Sequence, residues 1–197
     1  MADMYDQLEL GLKLGHTREF LHKLFQYENG KLYYKARKVR KPRDNNWNAR
    51  NAGKEAGTTF RCRKDGPRVR LNVKGRTSFR SRLIWEMFYG PTNLQIDHIN
   101  GDTLDDRIAN LRICNQQQNC CNRKLCTRNK TGVKGLVVKK VKSKNGTFYK
   151  KWAGRVKKCG EEKTTGSFPF TEEGKQACII KLRELREKLH GEFAHHG

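Results

Sequence analysis

The sequence predicts an α+β protein, and three observations carry that reading. The stretch PRVRLNV alternates strictly, with Val69, Leu71 and Val73 on one face and Arg68, Arg70 and Asn72 on the other. That period of two marks a half-buried strand with a basic outer face. SFRSRLIWEMFYGP places Leu83, Ile84, Met87 and Phe88 at helical spacing and stops at Gly90-Pro91. The last third of the chain shows three strand-like runs, with turns at Asn145-Gly146 and Cys159-Gly160, followed by a helical pattern.

Taken in order, residues 6–25 carry Leu8, Leu12, Leu21, Leu24 and Phe25 at roughly helical spacing, interrupted by Gly11 and Gly15. One helix or two short ones are expected there. YENGKLYYK holds an Asn-Gly pair between aromatic-rich flanks, the signal of a hairpin. Residues 35–57, KARKVRKPRDNNWNARNAGKEAG, are basic and turn-rich and read as an exposed loop that orders on a polyanion. In the C-terminal module, Thr171 is the expected N-cap, with Glu172 and Glu173 in the first turn where the helix dipole favours them. Cys178, Leu182, Leu185 and Leu189 form that helix's apolar stripe.

Composition narrows the class of partner. The chain has 197 residues with 43 Lys and Arg against 20 Asp and Glu, a net charge of +23. The charge is segmented. Residues 31–90 carry 18 basic and 4 acidic side chains, 129–197 carry 17 and 7, and 91–128 carry 5 and 4. A nearly neutral centre between two basic flanks points to a nucleic acid, since each neutralised phosphate releases counterions. A membrane surface is disfavoured, because the basic residues do not line one long amphipathic helix. No apolar run reaches the length of a bilayer span, and the acidic start MADMYDQLEL lacks a secretory core, so a cytoplasmic location is expected. Seven scattered Cys, with Cys120 and Cys121 adjacent, fit free thiols better than a disulfide framework or a zinc site.

The neutral centre holds the chemistry. DHINGDTLDDRIANLRICNQQQN, residues 97–119, spaces an Asp-His pair, Asn110 and Asn119 within 23 positions. Phosphodiester hydrolysis needs an activated water and positive charge near the phosphate and the leaving oxygen. Asp97 and Asn119 can offer oxygens to a divalent cation, and His98 can act as a base near neutral pH. As neighbours on an extended segment, Asp97 and His98 point to opposite sides, so a loop or bulge is expected to turn both toward one phosphate. Asp102, Asp105 and Asp106 read as loop and turn residues.

Over residues 94–124, the pattern DHINGD…IANLR…QQQN resembles the HNH nuclease family. The resemblance implies a ββα-metal motif: strands near 94–96 and 111–114 and a helix over 115–124. It implies Asp97 and Asn119 as metal ligands, His98 as general base, and Asn110 as the residue that fixes the interstrand loop and orients His98. Asn rather than His at 119 resembles the homing-endonuclease branch and implies Mg2+ (or Mn2+) over zinc, since an amide offers only oxygen. Residues 131–194, GVKG…KKWAGRVKK…GSFPFTEEGKQA…HGEFA, resemble the plant ethylene-response-factor type of DNA-binding domain, whose relatives occur fused to phage-borne HNH homing endonucleases. That second resemblance implies a three-stranded antiparallel sheet packed on one helix.

Three regions are therefore expected: a basic N-terminal α/β region (1–90), the ββα-metal nuclease motif (91–128) and the sheet-plus-helix domain (129–197). Expected DNA contacts are Arg68, Arg70, Arg80 and Arg82 in the first and Lys134, Lys139, Lys151, Arg155 and Lys157 in the last. The expected activity is a homing-type endonuclease that nicks double-stranded DNA as a monomer, with no small-molecule cofactor. It leaves 5′-phosphate and 3′-hydroxyl ends. A sequence-specific DNA-binding protein with a vestigial nuclease site, and a structured-RNA binder, stand as the alternatives.

Overall fold

A computed structural model describes residues 16–62, 66–122, 125, 128–158 and 160–196. The chain divides into two compact units, Met1–Cys114 and Asn115–Gly197. No described helix is long and apolar enough to cross a membrane.

The first unit begins with α1 (Arg18–Leu24), whose N-cap Thr17 accepts the Phe20 N–H. Leu21, Leu24 and Phe25 of the expected helix are placed here, while Leu8 and Leu12 lie outside the described residues. Strands β1 (Phe25–Glu28) and β2 (Lys31–Tyr34) form the hairpin that Asn29-Gly30 signals. Both turn residues have positive φ, +42° and +82°, as a tight two-residue turn requires.

Residues 35–57 depart from the expected loop. They contain α2 (Pro42–Asn51), with Pro42 in the first turn and Asp44 Oδ2 accepting the N–H groups of Arg40 and Lys41. Proline at a helix start and an acid in the first turn are start signals, but α2 buries no residue, so no apolar stripe announces it. It is held instead by Trp47, which meets Tyr34 edge-on and carries the Arg37 guanidinium over its ring at 3.6 Å.

Next comes a three-stranded antiparallel sheet, β3 (Thr58–Cys62), β4 (Gly66–Val73) and β5 (Arg76–Phe79), with β4 central. Val69, Leu71 and Val73 face inward as the alternation predicts. Helix α3 (Arg80–Tyr89) lays Leu83, Ile84 and Met87 on the same core, together with Leu21, Phe25, Leu32 and Leu111. Its C-cap, Gly90, adopts φ +87°. Strands β6 (Gln95–His98) and β7 (Leu111–Cys114) then pair antiparallel, Asp97 opposite Arg112 and His98 opposite Leu111. The interstrand loop closes on a 3-10 turn, Ile108–Asn110.

The second unit begins with α4 (Gln116–Cys121). Its N-cap Asn115 and Gln118 exchange side-chain and backbone hydrogen bonds in a capping box. Then β8 (Leu136–Lys142), β9 (Phe148–Lys158) and β10 (Glu161–Pro169) form an antiparallel sheet with β9 in the middle. Helix α5 (Glu172–His190) packs on that sheet and is capped by Thr171, whose hydroxyl accepts the Gly174 N–H. Leu136, Val156, Cys178, Ile179 and Leu182 form this unit's core, with Trp152, Phe168, Leu185 and Leu189 packed around it. The α+β class and the three-stranded sheet on one helix are both present.

Candidate active site

The β6–β7 ribbon and the loop between its strands gather most of the polar groups predicted for the site. Asp97 and His98 are successive residues of a regular ladder, so their side chains leave on opposite sides. No bulge intervenes, contrary to the expectation. Both residues are buried, Asp97 at 6% and His98 at 4% exposure. Asp97 Oδ2 accepts the Arg112 Nε–H at 2.9 Å, from the residue directly opposite.

His98 is held differently. Its Nε2 lies 2.7 Å from Asp106 Oδ1, and Asp106 is 2% exposed. The second oxygen, Asp106 Oδ2, accepts the Nε–H of Arg80 at 2.7 Å. Arg80 also donates Nη1–H to Glu55 Oε1 at 2.8 Å and Nη2–H to the Leu104 carbonyl at 3.2 Å. Glu55 in turn accepts from Lys31 Nζ at 2.9 Å. Lys31, Glu55, Arg80, Asp106 and His98 therefore form one chain of alternating charge that runs from solvent to a buried imidazole. Buried charges persist only when paired in this way.

Asn110 supports the loop. Its Oδ1 accepts the Asn100 N–H at 3.0 Å, and its Nδ2 donates to the Asp105 carbonyl at 2.7 Å and to Asn100 Oδ1 at 3.0 Å. Its own carbonyl accepts the Ile99 N–H. Asp105 is gripped by Arg107 through both oxygens at 2.6–2.7 Å, which holds its carboxyl at about 2, well below the usual carboxylate range. The backbone of Asp106 and Arg107 also rests on the β1–β2 turn. A Cβ at Gly30 would sit 2.7 Å from the Arg107 nitrogen.

The arginines and lysines predicted as DNA contacts separate into two groups. Arg80 is not an outward clamp. It is 4% exposed and committed to Asp106, Glu55 and the Leu104 carbonyl. Arg82 donates to the carbonyls of Thr92 and Leu94, both at 2.7 Å, and so fastens the segment that leads into β6. Lys134 is half-buried, with Nζ on the Cys121 carbonyl at 3.0 Å. Burial, reinforced by the nearby Arg186, pulls its pKa down to about 8. By contrast, Arg68 and Arg70 stand on the outer face of β4. Trp152, Gly154 and Val156 of β9 turn toward α5, so Lys151, Arg155 and Lys157 leave by the opposite face. Lys139, paired with Lys151 across the ladder, shares that face.

Asn119 lies on α4, partly buried, in the second unit. Among the described residues no group of three or more His, Cys, Asp or Glu is placed to hold a metal. Reading the sequence alone missed Asp106 and Glu55 as site residues. Their only signal is an acid within the loop after Asp-His and a lone Glu in a basic stretch.

Comparison with known proteins agrees with this location. Residues 78–120 match the family described as HNH endonuclease, a span that holds Arg80, Asp97, His98, Asp106, Asn110 and Asn119. Over 113 residues, 56% of this chain and 84% of its relative, the sequence is 31% identical to Protein 3.8 of Escherichia phage T7. No solved structure matches the chain. The chain thus belongs to one family with that phage protein and carries an HNH endonuclease domain over residues 78–120.

Proposed function

We propose that the chain is a metal-dependent DNA endonuclease of homing type that hydrolyses phosphodiester bonds with His98 as general base. The observation that supports this best is the buried His98–Asp106 pair within the span that matches the nuclease family. An ionised carboxylate can only accept, so Nε2 carries the shared proton, and the neutral ring then has its lone pair on Nδ1. From there His98 takes a proton from water, and the oxygen attacks phosphorus in line with the departing 3′ oxygen. Asp106 stabilises the imidazolium that forms, and Arg80 holds Asp106 in place. The products carry 5′-phosphate and 3′-hydroxyl ends.

The donor set fits a hard divalent ion. The proposed ligands, Asp97 and Asn119, rest on their positions in the motif: a carboxylate that also accepts from Arg112, and an amide oxygen. Neither offers sulfur or imidazole, which favours Mg2+ or Mn2+. When bound, such an ion supplies positive charge to the phosphate and the leaving oxygen.

Double-stranded DNA is the proposed substrate. Support comes from the open face shared by Lys139, Lys151, Arg155 and Lys157, from Arg68 and Arg70, and from the resemblance of 131–194 to a DNA-binding sheet. One copy of the motif implies nicking by the monomer. The test is conversion of supercoiled plasmid to open circle with Mg2+ and with chelator, for the native chain and for His98→Ala. Mg2+-dependent nicking that His98→Ala loses, with DNA affinity kept, is the expected result. Equal rates for the two proteins overturn the mechanism. Tight duplex binding without any cleavage favours the alternative, a DNA-binding protein with a vestigial site.

A further inference from the structure

We propose that the outer face of the β3–β4–β5 sheet is a stacking platform for unpaired bases of single-stranded DNA, a ligand class that rests on the nucleic-acid reading above. Two Phe and two Arg form a checkerboard there. Phe60 of β3 pairs across the ladder with Arg68, and Arg70 pairs with Phe79 of β5. Each guanidinium then leans diagonally onto the other ring: Arg70 lies 4.2 Å from the Phe60 centroid and Arg68 lies 5.2 Å from that of Phe79. Phe60, Arg70, Thr77, Ser78, Phe79 and Arg82 line an open concavity of about 230 Å³.

Phosphate contact alone does not account for this face. A phosphate clamp needs cations and donors, and it has no use for rings. Yet Phe60 and Phe79 are each 39% exposed, flanking the one strand that carries both arginines. Single exposed aromatics are ordinary on protein surfaces. Two of them set with guanidinium planes on a basic sheet form the combination that holds bases by stacking and cation–π contact. Arg68 Nε adds a second observation. It is buried and has no hydrogen-bond acceptor among the described residues, a state that calls for a specific reason. The Arg68 guanidinium carbon lies over the Phe79 ring, and no described acceptor meets its Nε. Thr77, paired across the ladder with outward-facing Asn72, offers a hydroxyl at the rim of the concavity. The ligand is single-stranded, because duplex bases keep their faces stacked on each other. A nicked, locally opened duplex supplies such bases next to a nuclease.

The test compares a thymidine oligonucleotide with an abasic oligonucleotide of equal length, so that phosphates match and only bases differ. Binding is followed by fluorescence anisotropy, in chelator, with the His98→Ala chain. The expected preference for the base-bearing strand is roughly 5- to 150-fold for each stacked base. Phe60→Ala and Phe79→Ala should each shrink that ratio while leaving abasic affinity within about twofold and the salt slope intact. Phe79→Trp should keep or enlarge it, and circular dichroism checks that each variant folds. Equal affinity of the native sheet for both strands overturns the proposal, as do Phe variants that weaken both strands alike. A chain that keeps the base preference but never cleaves plasmid in Mg2+ defeats the nuclease reading and leaves this one standing.

Discussion

His98 Nε2 and Asp106 Oδ1 stand 2.7 Å apart with both side chains almost fully enclosed, and Arg80 holds the far oxygen of the same carboxylate. In the proposed mechanism an ionised Asp106 only accepts, so a neutral His98 carries its proton on Nε2. That mechanism also sets a negative charge beside the imidazolium it forms, so the pair's proposed contribution falls on the reacting state.

Asp106→Asn tests that relationship. The amide oxygen can still accept from Nε2, but the charge is gone and Arg80 loses an ionic partner. Carboxylates behind metal-ligating imidazoles are worth about 10- to 100-fold, and one behind a general-base imidazole up to about 10⁴-fold. Single-turnover cleavage by Asp106→Asn should fall by at least about tenfold, while duplex affinity measured in chelator stays within about twofold. Unchanged cleavage removes Asp106 from the mechanism. Parallel losses in cleavage and affinity reduce it to a structural residue.

Arg80 and Arg70 should separate cleanly, although both sit in one basic stretch. Arg80→Ala leaves Asp106 buried without its guanidinium, a change that typically costs about 3–5 kcal/mol. Urea unfolding should show that loss. Arg70 is exposed on the outer face of β4 and its guanidinium lies over the Phe60 ring, so Arg70→Ala should alter stability by no more than about 1 kcal/mol. It should weaken DNA binding and lower the salt slope by about 0.9 if it meets one phosphate. An Arg80→Ala chain of native stability with weakened DNA binding restores the clamp that the sequence suggests.

Legibility differed between features for physical reasons. Alternation, Asn-Gly turns and helix caps are local, so the β1–β2 hairpin, β4, α3 and the β8–β10 sheet with α5 could be read directly. Helix α2 could not, because it buries nothing and therefore leaves no periodic apolar trace. The same limit hid the support of His98. Arg80 meets Asp106 across 26 residues and Glu55 across 25, and no local pattern reports which of many arginines turns inward. In a chain of net charge +23, a buried arginine looks like one more solvent-facing cation until the fold shows its partners.

Gly30 links the hairpin to the site. At φ +82° it occupies a region most side chains avoid, and a Cβ would approach the Arg107 nitrogen to 2.7 Å and the Asp106 carbonyl carbon to 3.0 Å. Neither backbone atom can yield without moving the loop that carries the Asp106 carboxylate. Gly30→Ala should cost about 1–3 kcal/mol in unfolding and slow cleavage as well. Gly53 also has positive φ but open space around it, so Gly53→Ala should destabilise without touching the rate. Equal cleavage by the two variants would mean the hairpin turn does not position Asp106.

Cys114 and Cys120 offer a check on the same region. Burial, aided by the neighbouring Asp97 carboxylate, pushes the Cys114 thiol up to about 11, whereas Cys120 is exposed. The thiolate is the reactive form. Near pH 8 a disulfide reagent should therefore modify Cys120 well before Cys114, as peptide mapping can show. Rapid labelling of Cys114 in the native chain would place its thiol in contact with solvent, against its burial in β7.

Lys134 gives the second unit a pH dependence of definite sign. The fold holds its pKa near 8, first through burial and then through Arg186, against an ordinary value of 10.5. Between those values the unfolded chain binds the extra proton, so stability rises with pH across that interval. Below about 8 both states are protonated and the full penalty of the buried charge applies. Lys134→Met removes the group and keeps much of its volume. Urea unfolding of both proteins from pH 7.5 to 10.5 isolates the effect, because the other titrations cancel in the difference. The native chain should gain stability on the variant as pH climbs from 8 to 10.5. A difference that stays flat over that range means Lys134 titrates as an ordinary exposed amine, and its place beneath the Cys121 carbonyl is wrong.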